Sequence, residues 1–324
     1  VSETRSAAPP VRALRPIRPR AGLLRSSSVY IAFAALVLFD LAVTPGFRNV
    51  GIVRSLLFES APVILIALGQ SLAIGTRGID LSVGSVMALS SAVIGISLPL
   101  DQGVSILFGV GAGLACGLFN GLLIAVLEID PLISSLSLLV AARGLAQALL
   151  NGARVDLPFD GPLAALGQAT LYTLPVTALV ALAAALVFSF VVRRTSFGHY
   201  AVFAGSSRTA AFLAGQPVRL TLVFVYGLSG LLAGLAGLFA SARLGAADPN
   251  YIGVQFELDA IAATVIGGTP LSGGRISTLG TVCGVLLLEV LDASFIMNNI
   301  SATYAQMLKA AFIVGALYLQ RSGG

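Results

Sequence analysis

Apolar residues in this chain come in long continuous stretches. They show neither the alternation of a half-buried strand nor the three-and-four spacing of a helix packed on a soluble core. Ten stretches stand out, at 29–43, 55–74, 84–100, 103–127, 131–150, 171–192, 219–242, 257–270, 276–297 and 302–320. Most approach the roughly 20 residues that cross a hydrocarbon core; 84–100 and 257–270 are short. The pattern predicts an all-α, polytopic membrane helical bundle of about ten transmembrane helices. Residues 1–28 are set apart by Pro9, Pro10, Pro16 and Pro19 and are expected to form a disordered cytoplasmic tail. The transmembrane domain then covers 29–321. Its first run, Val29 to Val43, reads as an uncleaved signal-anchor, because no small-residue cleavage site follows it.

Composition agrees with a bilayer environment. Hydrophobic residues make up 57% of the 324, charged residues 10%, and mean hydropathy is +0.96. Soluble domains carry about 25% charged residues. Net charge is +5, with a single lysine, Lys309, among the 19 basic residues. With the N-terminus inside, the inner segments hold thirteen arginines: six in the tail, then Arg77, Arg193, Arg194, Arg208, Arg219, Arg275 and Arg321. The outer segments hold four, Arg48, Arg54, Arg154 and Arg243. That asymmetry favours an even number of spans with both termini cytoplasmic. No aromatic residue interleaves with the tail arginines, so no nucleic-acid partner is expected. Cys116 and Cys283 lie in apolar runs without CxxC spacing and read as buried small residues.

Glycine adds two features. Gly109, Gly113, Gly117 and Gly121 fall every fourth residue and strip one helix face of side chains, as Gly230 and Gly234 do elsewhere. Such faces let helices approach closely in lipid. The second feature is an internal repeat: residues 78–84 (GIDLSVG) and 268–274 (GTPLSGG) share the pattern G-x-x-L-S-x-G, each at the inner end of one apolar run and leading into another. Duplicated halves with broken, glycine-rich elements are a mark of transporters.

The chemistry is defined largely by what is missing. There is no GxxxxGK[ST] loop, no G-x-S-x-G and no metal-ligand cluster, and the one histidine, His199, has no ligand partner nearby in sequence. The chain is not expected to be an enzyme. Ionisable residues in or near the spans are Asp40, Glu59, Arg143, Glu257, Asp259, Glu289, Asp292 and Lys309. Each costs about 2.5–3.5 kcal/mol at the centre of a bilayer, so each should meet a partner, a cavity or an interface. Asp40 and Glu257 are expected at interfaces, and Glu289 or Asp292 as ion-pair partners of Lys309. Arg143 and Asp259 are candidates for a translocation pathway. The basic segment 193–219 should hold one short helix over 206–213, capped by Ser206 or Ser207 and stopped by Gly215. An ion-coupled secondary transporter remains open at this point.

Taken together, residues 78–85 (GIDLSVGS), 257–263 (ELDAIAA), 265–269 (VIGGT), 271–275 (LSGGR), 117–121 (GLFNG) and 141–144 (AARG) resemble the permease subunits of bacterial ABC importers for ribose, galactose, xylose and similar sugars. The likeness runs from about Leu36 to Leu319. It implies a subunit in the bacterial inner membrane that moves a monosaccharide by alternating access. It implies a second permease protomer (the same chain or a paralogue), cytoplasmic ATPase subunits and a periplasmic sugar-binding protein as partners. ATP and Mg would be bound by the ATPase, with no cofactor in this chain. Relatives that import amino acids or nucleosides are the rival substrate classes. The family's ATPase-coupling loop maps onto Gly198, Ala204, Gly205, Arg208, Ala210, Ala211 and Gly215. Here Ala204-Gly205 replaces the commoner glycine pair and Ser206-Ser207-Arg208 the usual Asn-containing turn. With a sugar as cargo, Gln70, Asp80, Ser82 and Asn120 join Arg143 and Asp259 as pathway candidates.

Overall fold

The computed structural model describes residues 20–321. Its helices are α1 Arg20–Val43, α2 Val50–Gly75, α3 Val83–Ser97, α4 Gln102–Ala125, α5 Pro131–Leu149, α6 Gly161–Gln168, α7 Val176–Arg194, α8 Ser196–Ser206, α9 Arg208–Leu213, α10 Val218–Leu244, α11 Phe256–Ile266, α12 Thr278–Met297 and α13 Ala302–Arg321. Two-residue strands add β1 Val155–Asp156, antiparallel to β4 Ala246–Ala247, and β2 Thr170–Leu171, antiparallel to β3 Leu174–Pro175. Of the expected tail, residues 1–19 lie outside the described residues, and the remainder is helical from Arg20.

Each of the ten apolar stretches falls on one helix. Among the described residues, six of these (α2, α4, α5, α7, α10 and α12) are long and apolar enough to cross a membrane. A polytopic helical bundle is therefore established, whereas length and composition do not carry the count of ten. Boundaries moved where local chemistry intervenes. The 171–192 run opens in the β2–β3 hairpin, and α7 begins only after Pro175. The 257–270 run stops at Ile266, and Gly268 beyond it has φ +95°. Segment 193–219 holds two helices, α8 and α9, instead of one.

Caps fix several starts. Asn49 accepts from the Gly51 N–H, Asp101 from Gly103 and Val104, and Asp130 from Leu132, with Pro131 at the first helical position. Helix α10 forms the axis of the core, buried along most of its length against α2, α3 and α4. Its seam with α4 is built from glycine. A Cβ on Gly113 would lie 2.6 Å from Gly234 Cα, one on Gly117 2.8 Å from Gly230 Cα, and one on Gly121 2.8 Å from Val223 Cα. Gly109 faces α3 instead, where a Cβ would lie 2.9 Å from the Ser90 carbonyl oxygen. No side chain fits at these positions, so the two backbones touch directly. Helix α1 leans on α12 through Asp40. Expected at an interface, this residue is fully buried and accepts from Thr44 Oγ1 and Ser294 Oγ, both at 2.7 Å. The hydroxyls make its burial tolerable.

Candidate functional site

The two G-x-x-L-S-x-G turns meet at one end of the bundle. The arginine distribution leads to the expectation that this end faces the cytoplasm. The Gly274 N–H donates to the Gly75 carbonyl at 2.9 Å. Arg77, in the left-handed region at φ +63°, donates from Nε to the Ser272 carbonyl and from a terminal nitrogen to the Ser206 carbonyl, each at 2.7 Å. One guanidinium thus ties both repeats to the end of α8, a task suited to its planar fork of donors. Gly205 lies against the Gly75 carbonyl with no room for a Cβ. In the sequence Arg77 reads only as a topology marker, and nothing but its place beside Gly78 hints at this role.

Beyond that junction stands α9. Ser207 caps it by accepting from the Ala210 N–H at 3.2 Å, and Gly215, at φ +75°, follows its last turn. Gly198, Ala204, Gly205 and Ala211 are buried, and Gly198 packs directly on the Val192 backbone. Arg208 and Ala210 are exposed. The tip carries Phe212 and Leu213, 72% and 79% exposed.

Gln70, Asp80 and Ser82 come together deeper in the bundle. Asp80 Oδ1 accepts from the Ser82 N–H at 3.0 Å and the Ser82 hydroxyl at 2.6 Å, and Oδ2 accepts from Ser229 Oγ on α10 at 2.9 Å. Gln70 grips the backbone of Asp80. Its amide orientation, assigned from the network, donates to the Asp80 carbonyl at 2.9 Å and accepts from its N–H at 3.3 Å. All three are buried and turned toward one another. After Gly75 the chain therefore folds back into the bundle before α3 begins, and these groups satisfy the unwound backbone that results. Asn120 is elsewhere, accepting from Ser134 Oγ at 2.6 Å between α4 and α5, and its Nδ2 is buried without a partner.

Arg143, on α5, does comparable work at the opposite end. It donates to the carbonyls of Pro249, Ile252 and Gly253 at 2.9, 2.7 and 3.0 Å, clamping the non-helical segment that leads into α11. Asp259 is joined to Lys309 at 2.9 Å, and Lys309 also pairs with Asp292 at 2.7 Å, so one lysine links α11, α12 and α13. The expected Asp292–Lys309 pair is present, and Asp259 belongs to it. Among the described residues, no three His, Cys, Asp or Glu side chains are grouped to hold a metal ion.

The family model described as branched-chain amino acid transport system / permease component matches residues 52–317. Curated relatives include the galactofuranose transporter permease of Escherichia coli (strain K12), 36% identical over 90% of this chain and 88% of the relative. The ribose import permease of Bacillus subtilis (strain 168) is 33% identical over 93% and 94%. The L-arabinose ABC transporter permease of Azospirillum brasilense is 30% identical over 97% and 93%. No solved structure gave a significant match. The matched span takes in both glycine-rich turns, the Arg77 junction, α9 and the Arg143 clamp, and the chain belongs to this family of transport-system permease components.

Proposed function

We propose that the chain is the membrane-spanning permease subunit of an ATP-driven ABC importer, carrying a monosaccharide or similar small polyhydroxy solute into the cytoplasm. The observation that carries this reading is α9. It is a capped helix with an apolar tip in the open, fastened through α8 and Arg77 to both repeated turns. A helix so exposed and so tied is suited to seat in a groove on a partner and pass its motion to the core. The reading places ten spans in the inner membrane with both termini cytoplasmic. ATP and Mg are bound by a partner ATPase, sugar is delivered by a periplasmic binding protein, and a second permease protomer completes the pathway. The family model carries an amino-acid name, but the relatives cited above are all named for sugars, which supports the sugar class. Secondary transport on intramembrane acids is less well supported, since Asp259 and Asp292 are already paired with Lys309.

The test is co-purification from mild detergent. Wild-type chain should retain a P-loop ATPase, and the double variant Phe212→Asp/Leu213→Asp should retain at least about tenfold less, as truncation of exposed anchor residues does at an interface. Unchanged recovery would reject α9 as the contact. No ATPase with either protein would reject the importer reading.

A further inference from the structure

The buried candidates Gln70, Asp80 and Ser82 face one another and Asn120 faces Ser134, leaving open which residues would touch a solute. A cavity of about 510 Å³ at the end opposite α9 offers others. Its size falls within the roughly 300–1,000 Å³ of small-molecule sites. It opens between α2, the last turn of α10 and the non-helical segment 248–255, and its walls include Phe58, Glu59, Arg243, Tyr251 and Phe256.

That segment descends along α3. Ala247 lies against Gly95 near one end of the helix, and Gly253 lies against Gly84 near the other. Eleven α3 positions separate the two glycines, about 16 Å of helix rise. Unwound backbone at such depth is tolerated where it lines a cavity and its polar groups are satisfied. Arg143 satisfies three of its carbonyls, and Asn250 is held by Gln147 at 3.0 Å and by the Gly152 carbonyl at 2.8 Å. The wall is therefore set before any solute arrives, which lowers the cost of binding.

The chemistry on the walls is specific. Arg243 lies 3.6 Å from Glu59, and its guanidinium sits 4.8 Å from the centroid of the Phe58 ring. The charges of the pair cancel, so the cavity suits a neutral solute. Donors and acceptors remain side by side: a vicinal diol can accept from the guanidinium and donate to the carboxylate. Tyr251, 69% exposed, offers an aromatic face and a hydroxyl. A zwitterionic amino acid would have to split the existing ion pair, whereas hydroxyls use the lone pairs and N–H groups that it leaves free.

We infer that this cavity is the permease's own solute site and that it takes a neutral sugar through Glu59, Arg243 and the ring of Tyr251. The inference rests on the importer reading above and deepens it. The experiment is saturation-transfer difference NMR on the full chain in lipid nanodiscs, with millimolar D-galactose, D-ribose, L-arabinose and L-leucine as probes. Ring C–H protons of at least one sugar should receive saturation and leucine should not. The transfer should fall about tenfold in Tyr251→Ala and Glu59→Gln, the size of effect expected for anchor residues. Leu186→Ala, on the exposed face of α7, should leave it unchanged, and retention of the partner ATPase checks that every variant is folded. A sugar signal that survives both cavity variants overturns the site and leaves the importer reading standing. So does the lack of any wild-type signal while ATP-driven uptake of the same sugar proceeds. Transfer to leucine in place of the sugars overturns the solute class. If neither binding nor uptake of any sugar occurs, the importer reading falls and the site with it.

Discussion

Asp80 shows how a polar residue in an apolar chain can be structural. Its carboxylate is 2% exposed and accepts three hydrogen bonds, while Gln70 holds its backbone from the other side. Replacing it with alanine leaves the Ser82 N–H and two hydroxyls buried without acceptors. At roughly 1–3 kcal/mol for each unsatisfied buried group, Asp80→Ala should lower stability by at least about 3 kcal/mol. The check is the midpoint of thermal unfolding in detergent; a midpoint within error of wild type would contradict the network. The sequence identified Asp80, Ser82 and Gln70 as residues that matter, but as pathway candidates. Nothing in one sequence reveals which way a side chain points when one of its partners, Ser229, is 149 positions away. Arg77 was overlooked for the same reason, since its acceptors lie at 206 and 272.

At the scale of elements, the α4–α10 seam separates glycines that are needed from those that are not. Gly117 and Gly111 sit on the same helix. A Cβ at Gly117 would press into the backbone of Gly230, while one at Gly111 would meet nothing within 4 Å. Gly117→Ala should destabilise by about 1–3 kcal/mol, the usual cost of overpacking. Gly111→Ala should be neutral or should stabilise by up to about 1 kcal/mol, because alanine is the better helix former. Matched unfolding curves of the two variants check this, and equal effects would refute the seam. All ten apolar stretches were legible as helices, because continuous hydrophobicity is a local property. Helix α8 was not. Its sequence, SFGHYAVFAGS, carries a mixed pattern, and its placement depends on Gly198 against Val192 and Gly205 against Gly75. The descending segment 248–255 was equally hidden, since it is fixed by Arg143 more than a hundred positions earlier.

For the whole molecule, charge is distributed by depth and by face. Exposed leucines, valines and phenylalanines cover α4, α5 and α7, the surfaces suited to lipid. Lys309 and its two carboxylates instead join α11, α12 and α13. Among the described residues few other contacts hold α13, so Lys309→Met should loosen that helix and leave Asp259 and Asp292 without this partner. A loss of about 2–3 kcal/mol follows from the cost of unpaired charge at membrane depth. Faster proteolysis or hydrogen exchange confined to 302–321 would be the signature, and uniform protection would contradict it. Arg77, Arg208 and Arg275, which the sequence reading expects on the inner side, lie at or next to the Gly-rich junction. The partner proposed for α9 is not written in this chain, and the energy source decides the account. The direct measurement is sugar uptake into membrane vesicles carrying the assembled transporter, with ATP supply and proton gradient varied separately. The account predicts uptake that survives a protonophore, stops when ATP is withdrawn and is lost in Phe212→Asp/Leu213→Asp. Uptake that collapses with the protonophore and ignores ATP would contradict it.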